Sequence, residues 1–267
     1  MANRALNLLR LRSAARMTLD FAGYLSDRNL AGRNRDFALR GAPDGLPVQP
    51  PFLVYLAGNL FDVSEFFESG RRSMDWIKYL LARQKIEIDG LGSVLDFGCG
   101  CGRVLRFWAD HPEVRVFGTD CNPKLVEWCR ENLPFCTVAE NTMDVGLDYP
   151  DSMFDLVYAI SVFTHLPEGG QRFWLDELVR VTRTGGLIAV TAQGPSRRTA
   201  LTARQRAVFD GGGIVVRHGL YGGTNLCGAY HPPGAFERLA DGKLLQLDYV
   251  ENGATDSALD AYLFRKI

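Results

Sequence analysis

Residues Val94 to Arg103 read V-L-D-F-G-C-G-C-G-R, an apolar run that passes through an acid into three glycines separated by single residues. That pattern commits the chain to a buried strand followed by a tight turn. Glycine is needed where the backbone must take positive φ, or where no Cβ can stand between the main chain and a neighbour such as a ligand. After the turn, Cys101, Val104, Leu105, Phe107 and Trp108 carry apolar side chains at helical spacing, and 114–119 has the composition of a second strand ending in Asp120. Strand, glycine turn, helix and strand make the opening unit of a nucleotide-binding sheet. An acid about twenty residues past the turn is where that unit sets a carboxylate on ribose hydroxyls.

The spacing of the glycines separates two ribose-bearing ligands. A dinucleotide turn reads G-x-G-x-x-G, which would require glycine at position 103; this chain has Arg103, and its third glycine comes one residue early at Gly102. Asp96 stands two residues before Gly98, where a carboxylate repels a pyrophosphate but pairs with an ammonium group. Together, D-F-G-C-G-C-G and the later Asp120 resemble the class I S-adenosylmethionine-dependent methyltransferases. Two further segments extend the likeness over about 94–191: F-D-L-V-Y-A from Phe154 resembles the family's fourth strand, and L-V-R-V-T-R-T-G-G-L from Leu178 resembles its helix, turn and fifth strand.

The resemblance implies S-adenosylmethionine as cofactor and a division of labour among residues. Asp96 would meet the amine. The backbone of Phe97, Gly98, Cys99, Gly100 and Gly102 would lie beside the methionine portion. Asp120 would take the ribose, with Cys121 or Asn122 on one side of adenine and Glu140 or Asn141 on the other. Many relatives place an aspartate after the third strand to receive the adenine amino group; here Glu140-Asn141-Thr142 stands instead, and either Glu140 or the Asn141 carbonyl can accept that bond. Ser161, opening the segment S-V-F-T-H-L after the fourth strand, would border the cofactor. His165 in the same segment is the candidate general base, because imidazole titrates near neutrality; a histidine that only fixes the turn fits as well. Tyr230 and His231, in A-Y-H-P-P, are candidates for the substrate site, and a rigid proline turn is the alternative.

Alternation of strands with helices argues an α/β architecture: a Rossmann-like, doubly wound, mostly parallel sheet with helices on both faces. Strands are expected near 94–97, 114–119, 135–139, 154–160 and 187–192. Residues 244–250 and the terminal A-Y-L-F would supply the pair that closes the family's seven-stranded sheet. The stretch 197–209 has a helical pattern. Before the sheet, 1–90 is expected to form an N-terminal helical extension, and 91–267 the cofactor-binding domain. Helical patterns cover 52–60, 64–67 and 74–84, with Gly70 between the last two and a Gly/Pro-rich connector at 41–51. In the family such helices commonly cover the cofactor, so the resemblance implies a lid here; helices that only pack against the sheet fit as well.

Composition bounds the partners. The net charge of −1 gives no general attraction to nucleic acid, so none is expected. Arginine is concentrated in the first forty residues. There 5–12 fits an amphipathic helix, open to reading as an organelle presequence, a membrane-surface helix or a plain solvated one. No stretch approaches a transmembrane span, and a soluble cytoplasmic protein with reduced cysteines is the expectation. The six cysteines lack zinc-like spacing, so no metal is expected. Missing motifs narrow the acceptor. No Asn-Pro-Pro-Tyr follows the fourth strand, no terminal aspartate suits a metal-dependent catechol-type enzyme, and no paired glutamates of the arginine-methylating kind stand out. A hydroxyl or amine of a small molecule is left. A non-catalytic cofactor-binding protein and, weakened by Arg103 and Asp96, a nicotinamide-dependent oxidoreductase are the competing readings.

Overall fold

The computed structural model describes residues 17–218, 227–253 and 259–267; the expected amphipathic stretch 5–12 lies outside them. The chain forms two compact units, Met1–Glu68 and Ser69–Ile267. In the first, residues 17–26 are helical, followed by α1 (Arg28–Arg40), α2 (Pro51–Gly58) and the start of α3 (Val63–Arg83). Aromatic stacking organises it: Phe61 lies between Tyr24 and Tyr55 at 4.7 and 4.5 Å. Asn34, buried on α1, donates to Phe61 O at 2.7 Å and accepts from Val63 N at 3.0 Å, so one side chain fixes the chain where α3 begins.

The second unit is built on a seven-stranded sheet. Its strands are β1 (Ser93–Phe97), β2 (Arg115–Asp120), β3 (Cys136–Glu140), β4 (Phe154–Ala159), β5 (Thr182–Ala192), β8 (Leu244–Val250) and β9 (Asp260–Lys266), in the order β3-β2-β1-β4-β5-β9-β8. The first five are parallel; β9 runs antiparallel to β5, and β8 antiparallel to β9. Every residue of β1 is buried, which is why its apolar residues Val94, Leu95 and Phe97 do not alternate with exposed polar ones. The strand order reverses between β1 and β4, so the crevice outside their carboxyl ends is where a sheet of this kind takes a ligand.

Helices α4 (Pro123–Asn132) and α5 (Glu168–Val181) connect the strands. Asn122 caps α4 by accepting from Lys124 N, and Pro123 supplies the preset φ of a first helical residue. On α5 the face Trp174, Leu175, Leu178 and Val181 is buried, and Trp174 packs on Phe97 of β1 at 4.8 Å. Each such side chain contributes roughly 1.5–3 kcal/mol on burial. A short antiparallel pair, β6 (Val215–Arg217) with β7 (Gly228–Tyr230), lies beside α6 (Ala203–Asp210), and α7 (Ala235–Ala240) precedes β8.

Three local expectations give way. The stretch after the glycine turn is not α-helical but a turn followed by a 3-10 helix over Leu105–Asp110; Gly102 at φ +78° lies outside helical space and stops the helix from starting at Cys101. Gly70 does not separate two helices. It lies inside the 21-residue α3, where a Cβ would collide with Arg103 O and sit 2.9 Å from the Phe107 ring, so it serves close packing. Gly185-Gly186 makes no free turn either: β5 begins at Thr182 and passes through both glycines, with a bulge that pairs Phe154 with Thr182 but Leu156 with Leu187.

Candidate active site

The glycine turn is fixed from the β2 side. The amides of Gly98 and Cys99 both donate to Thr119 O, at 2.8 and 2.9 Å. Gly98, Gly100 and Gly102 have φ of +79°, +57° and +78°, and only glycine takes that sequence of conformations without strain. The absent Cβ atoms, however, do not all leave room for a ligand. A Cβ on Gly98 would run into a methyl of Val162, and one on Gly102 would lie 2.5 Å from Leu133 Cδ1. At those two positions the clearance expected for a ligand is taken up by the protein's own packing. Gly100 is held through both of its backbone polar groups. Its N–H donates to Asp120 Oδ2 at 2.9 Å, and its carbonyl receives the thiols of Cys129 and Cys99 at 3.4 and 3.6 Å.

Asp120, half-buried at the end of β2, accepts from Gly100 N on one oxygen and from Asn122 N at 2.8 Å on the other. Burial raises its pKa, opposed by these backbone bonds. A carboxylate has about four acceptor sites, so both oxygens keep capacity for further donors. Asp96, near the end of β1, is 3% exposed. Burial pushes its pKa up to about 7; Arg103 and a hydrogen bond from the Tyr158 hydroxyl pull it down, and Asp120 pushes it further up. Tyr158 is itself oriented by Trp108, whose Nε1 donates to its oxygen at 2.9 Å. Arg103 docks on α3 through Ser69 O at 3.1 Å and Ser73 Oγ at 2.9 Å.

The neighbouring strand ends bring in the other expected residues. Asp120 and Glu140 are register partners across β2 and β3. Glu140 is exposed, while Asn141 donates its backbone N–H to Asp120 O at 3.1 Å and its side-chain amide to Thr142 O at 3.0 Å. Cys121 is half-buried, and burial pushes its thiol up to about 11. After β4, Ser161 has φ +65°, a conformation that costs a non-glycine residue about 1–3 kcal/mol and clusters at functional sites. Two buried threonines hold it there: Thr191 Oγ1 accepts from Ser161 N, and Thr164 Oγ1 donates to Ser161 O, each at 2.7 Å.

His165 ends a 3-10 turn, Phe163–His165, and is half-buried. Its Nδ1 lies 2.9 Å from Cys227 O; a carbonyl only accepts, so Nδ1 carries the proton and the basic nitrogen is Nε2. Tyr230 and His231 sit apart from an open surface. Tyr230 is 7% exposed, packs with Leu201, Phe209 and Val215, and is covered by Arg217, which donates to its hydroxyl at 3.2 Å and lies 5.0 Å above its ring. His231 is fully buried, stacked on Phe236 at 4.9 Å, and bonded through Nε2 to Gln171 Oε1 at 2.9 Å. Burial lowers its pKa to about 3, so it is neutral. Gln171, Thr191, Tyr158 and Trp108 are site-supporting residues that sequence patterns did not single out. Gln171 did leave a trace, since it falls on the same i, i+3, i+4, i+7 face as Trp174, Leu175 and Leu178, where a polar residue is out of place. Among the described residues no three potential metal-ligating side chains converge, and no helix is long and apolar enough to cross a membrane.

A family model described as a methyltransferase domain matches residues 94–186, which span the glycine turn, both acids and the His165 turn. Among curated relatives, a 2-methyl-6-phytyl-1,4-hydroquinone methyltransferase from Synechocystis sp. is 32% identical over 100 residues, 37% of this chain and 31% of the relative. A trans-aconitate 2-methyltransferase from Methylobacterium radiotolerans is 33% identical over 135 residues, 50% of this chain and 49% of the relative. The chain thus spans between about a third and a half of the length of these relatives. Among solved structures, an S-adenosylmethionine dependent methyltransferase from Mesorhizobium loti superposes with a TM-score of 0.54 at 16% identity, covering 71% of this chain and 97% of its own. A SAM-dependent methyltransferase from Methanosarcina mazei gives 0.53, also at 16%, over 70% and 97%. These structures share the fold. The domain match, the relatives and the strand order together support a class I S-adenosylmethionine-dependent methyltransferase domain, matched over residues 94–186.

Proposed function

We propose that the chain transfers a methyl group from S-adenosylmethionine to a hydroxyl or amine of a small molecule, without a metal ion. The observation that carries this reading is the pair of acids at the carboxyl ends of β1 and β2, flanking a turn that one of them holds. Asp96 is a buried carboxylate with its pKa pushed up to about 7, so an arriving ammonium group offsets the penalty that burial imposes. That fits the amine of the cofactor and disfavours a phosphate. Asp120, after serving Gly100 and Asn122, retains acceptor sites for two ribose hydroxyls. Cys121 and Asn122 on one strand end, and Glu140 and Asn141 on the next, are the candidates beside adenine.

The cofactor, when bound, supplies a methyl on a positively charged sulfur that already favours departure. What this chain must add is placement of the acceptor and removal of its proton. His165 suits the second of these. With Nδ1–H committed to Cys227 O, Nε2 is the nitrogen that takes a proton from a hydroxyl or an ammonium. Curated relatives named for trans-aconitate and for a phytyl hydroquinone support a small-molecule acceptor. Calorimetric titration with S-adenosylmethionine, its demethylated product and NAD tests the reading: the first two are expected to bind and NAD not, and binding of NAD alone overturns it. Mass spectrometry of a metabolite extract incubated with methyl-labelled cofactor then identifies the acceptor; binding without transfer to any extract component would leave a cofactor-binding protein.

A further inference from the structure

The five residues Cys227–His231 touch the His165 turn at two separate points. At one end, Cys227 O takes the His165 Nδ1 proton at 2.9 Å. At the other, His231 Nε2 meets Gln171 Oε1 at 2.9 Å, and Gln171 Nε2 reaches two carbonyls of the turn, Phe163 O at 3.1 Å and Leu166 O at 2.8 Å. These bonds permit one assignment of protons. A nitrogen between two carbonyls must be the amide NH2, so Oε1 must accept, and His231 must carry its proton on Nε2. The other nitrogen, His231 Nδ1, is then a bare acceptor, and it is buried without a partner among the described residues. Leaving such a group unsatisfied carries the desolvation penalty of a buried polar atom. An apolar ring stacked on Phe236 would avoid that cost, so packing does not account for a histidine here.

We infer that Cys227–His231 is a splint for His165, with Gln171 and His231 as positioning residues that set the angle of the turn while Cys227 O sets the tautomer of the ring. The inference rests on the reading of His165 as the base. Gln171 and His231 reach the turn through the backbone carbonyls of Phe163 and Leu166 rather than through the His165 ring. Their loss lets the turn shift and misplaces the base, and a displacement of about 1 Å can lower turnover on the order of a hundredfold.

The test is a double-mutant cycle in the full-length chain, once an acceptor is known. His231→Leu and Gln171→Met are each expected to lower kcat about 10- to 100-fold while the calorimetric affinity for S-adenosylmethionine stays within about twofold of the parent. His231→Gln, which returns an N–H donor near the Nε2 position, is expected to recover most of the loss. In a His165→Ala background, His231→Leu should cost nothing further, because residues acting through one group are non-additive. An equal loss with and without His165 overturns the splint, as does a His231→Leu protein of unchanged kcat. A measurement on the unmodified protein covers variants that fail to fold: nitrogen-15 spectra of the neutral His165 ring should show Nδ1 protonated, and a proton on Nε2 refutes the tautomer clamp. Full activity of His165→Ala removes the base reading alone, since the spectrum still reports whether the clamp exists.

Discussion

The glycine turn and the turn bearing His165 stand at the ends of adjacent strands, β1 and β4, yet they are immobilised in opposite ways. The first is fixed through its own main chain by near neighbours in sequence: Thr119 O takes two amides and Asp120 takes a third. The second is fixed by partners about sixty residues further along, with His165 paired to Cys227 and Gln171 to His231. A cofactor common to a whole family can be met by backbone and two acids, which tolerate wide variation elsewhere. On the proposed reading the acceptor is met by side chains such as His165, whose carbonyl partner Cys227 lies in the C-terminal third of the chain, beyond the segment that the methyltransferase domain model matches. Damage to the first region should therefore appear in cofactor affinity, and damage to the second in turnover.

Asp120→Ala is expected to break that separation most severely on the cofactor side. It removes the charge-assisted bonds proposed for the ribose and releases the Gly100 amide together with them. With each such bond worth about 1.5–3 kcal/mol, cofactor affinity should fall a hundredfold or more. Turnover at saturating cofactor should change far less. An unchanged dissociation constant in calorimetry would remove Asp120 from the site.

Asp96 predicts a smaller effect with a sign that depends on pH. Its pKa stands at about 7 in the folded protein and near 4 in an unfolded chain, so the folded state favours the protonated acid. Stability from this group is fully present below about pH 4 and is lost as pH rises through 7. Asp96→Asn should therefore raise the melting temperature of the cofactor-free protein at pH 8, with a gain of up to about 3–4 kcal/mol that fades toward pH 4. Binding runs the other way, because an ammonium group needs the ionised carboxylate. Affinity of the parent for S-adenosylmethionine should weaken by about tenfold per pH unit below 7, and the Asn variant should bind poorly with that slope gone. A parent whose affinity is flat from pH 5.5 to 8 would separate Asp96 from the amine.

The same contrast decides what the sequence alone could convey. Asp96, the three glycines and Asp120 lie within 25 residues, so their spacing is a local signal and the sheet built around them follows from alternating apolar runs. The roles of the glycines were less legible: Val162 and Leu133, which fill the space beside Gly98 and Gly102, are distant in sequence, and spacing does not distinguish room for a ligand from room for a methyl. Tyr230 and His231 were visible as polar groups beside a proline pair, but their burial was not, since only the pairing of β6 with β7 and the stacking on Phe236 place them inside. Gln171 was within reach, as the one polar side chain on the apolar face of α5.

The Gly100 carbonyl offers the finest division of the comparison. Its N–H is held by a carboxylate, but its oxygen receives two thiols, and S–H is a weak donor. Cys99 and Cys129 are both buried, and the neighbouring Cys129 sulfur, then burial, raises the Cys99 pKa, so Cys99 remains a thiol at neutral pH. If the turn is held chiefly from the amide side, removing one thiol should matter little. Cys129→Ala is expected to lower stability by roughly 1 kcal/mol, the usual cost of a small cavity and a weak bond, and to weaken cofactor binding less than threefold. A tenfold or greater loss in calorimetry, in a variant that melts normally, would mean that the carbonyl side orients the peptide as firmly as Asp120 does. The glycine turn would then depend on side chains from α4 as well as on its own main chain, and the difference between the two halves of the site would narrow accordingly.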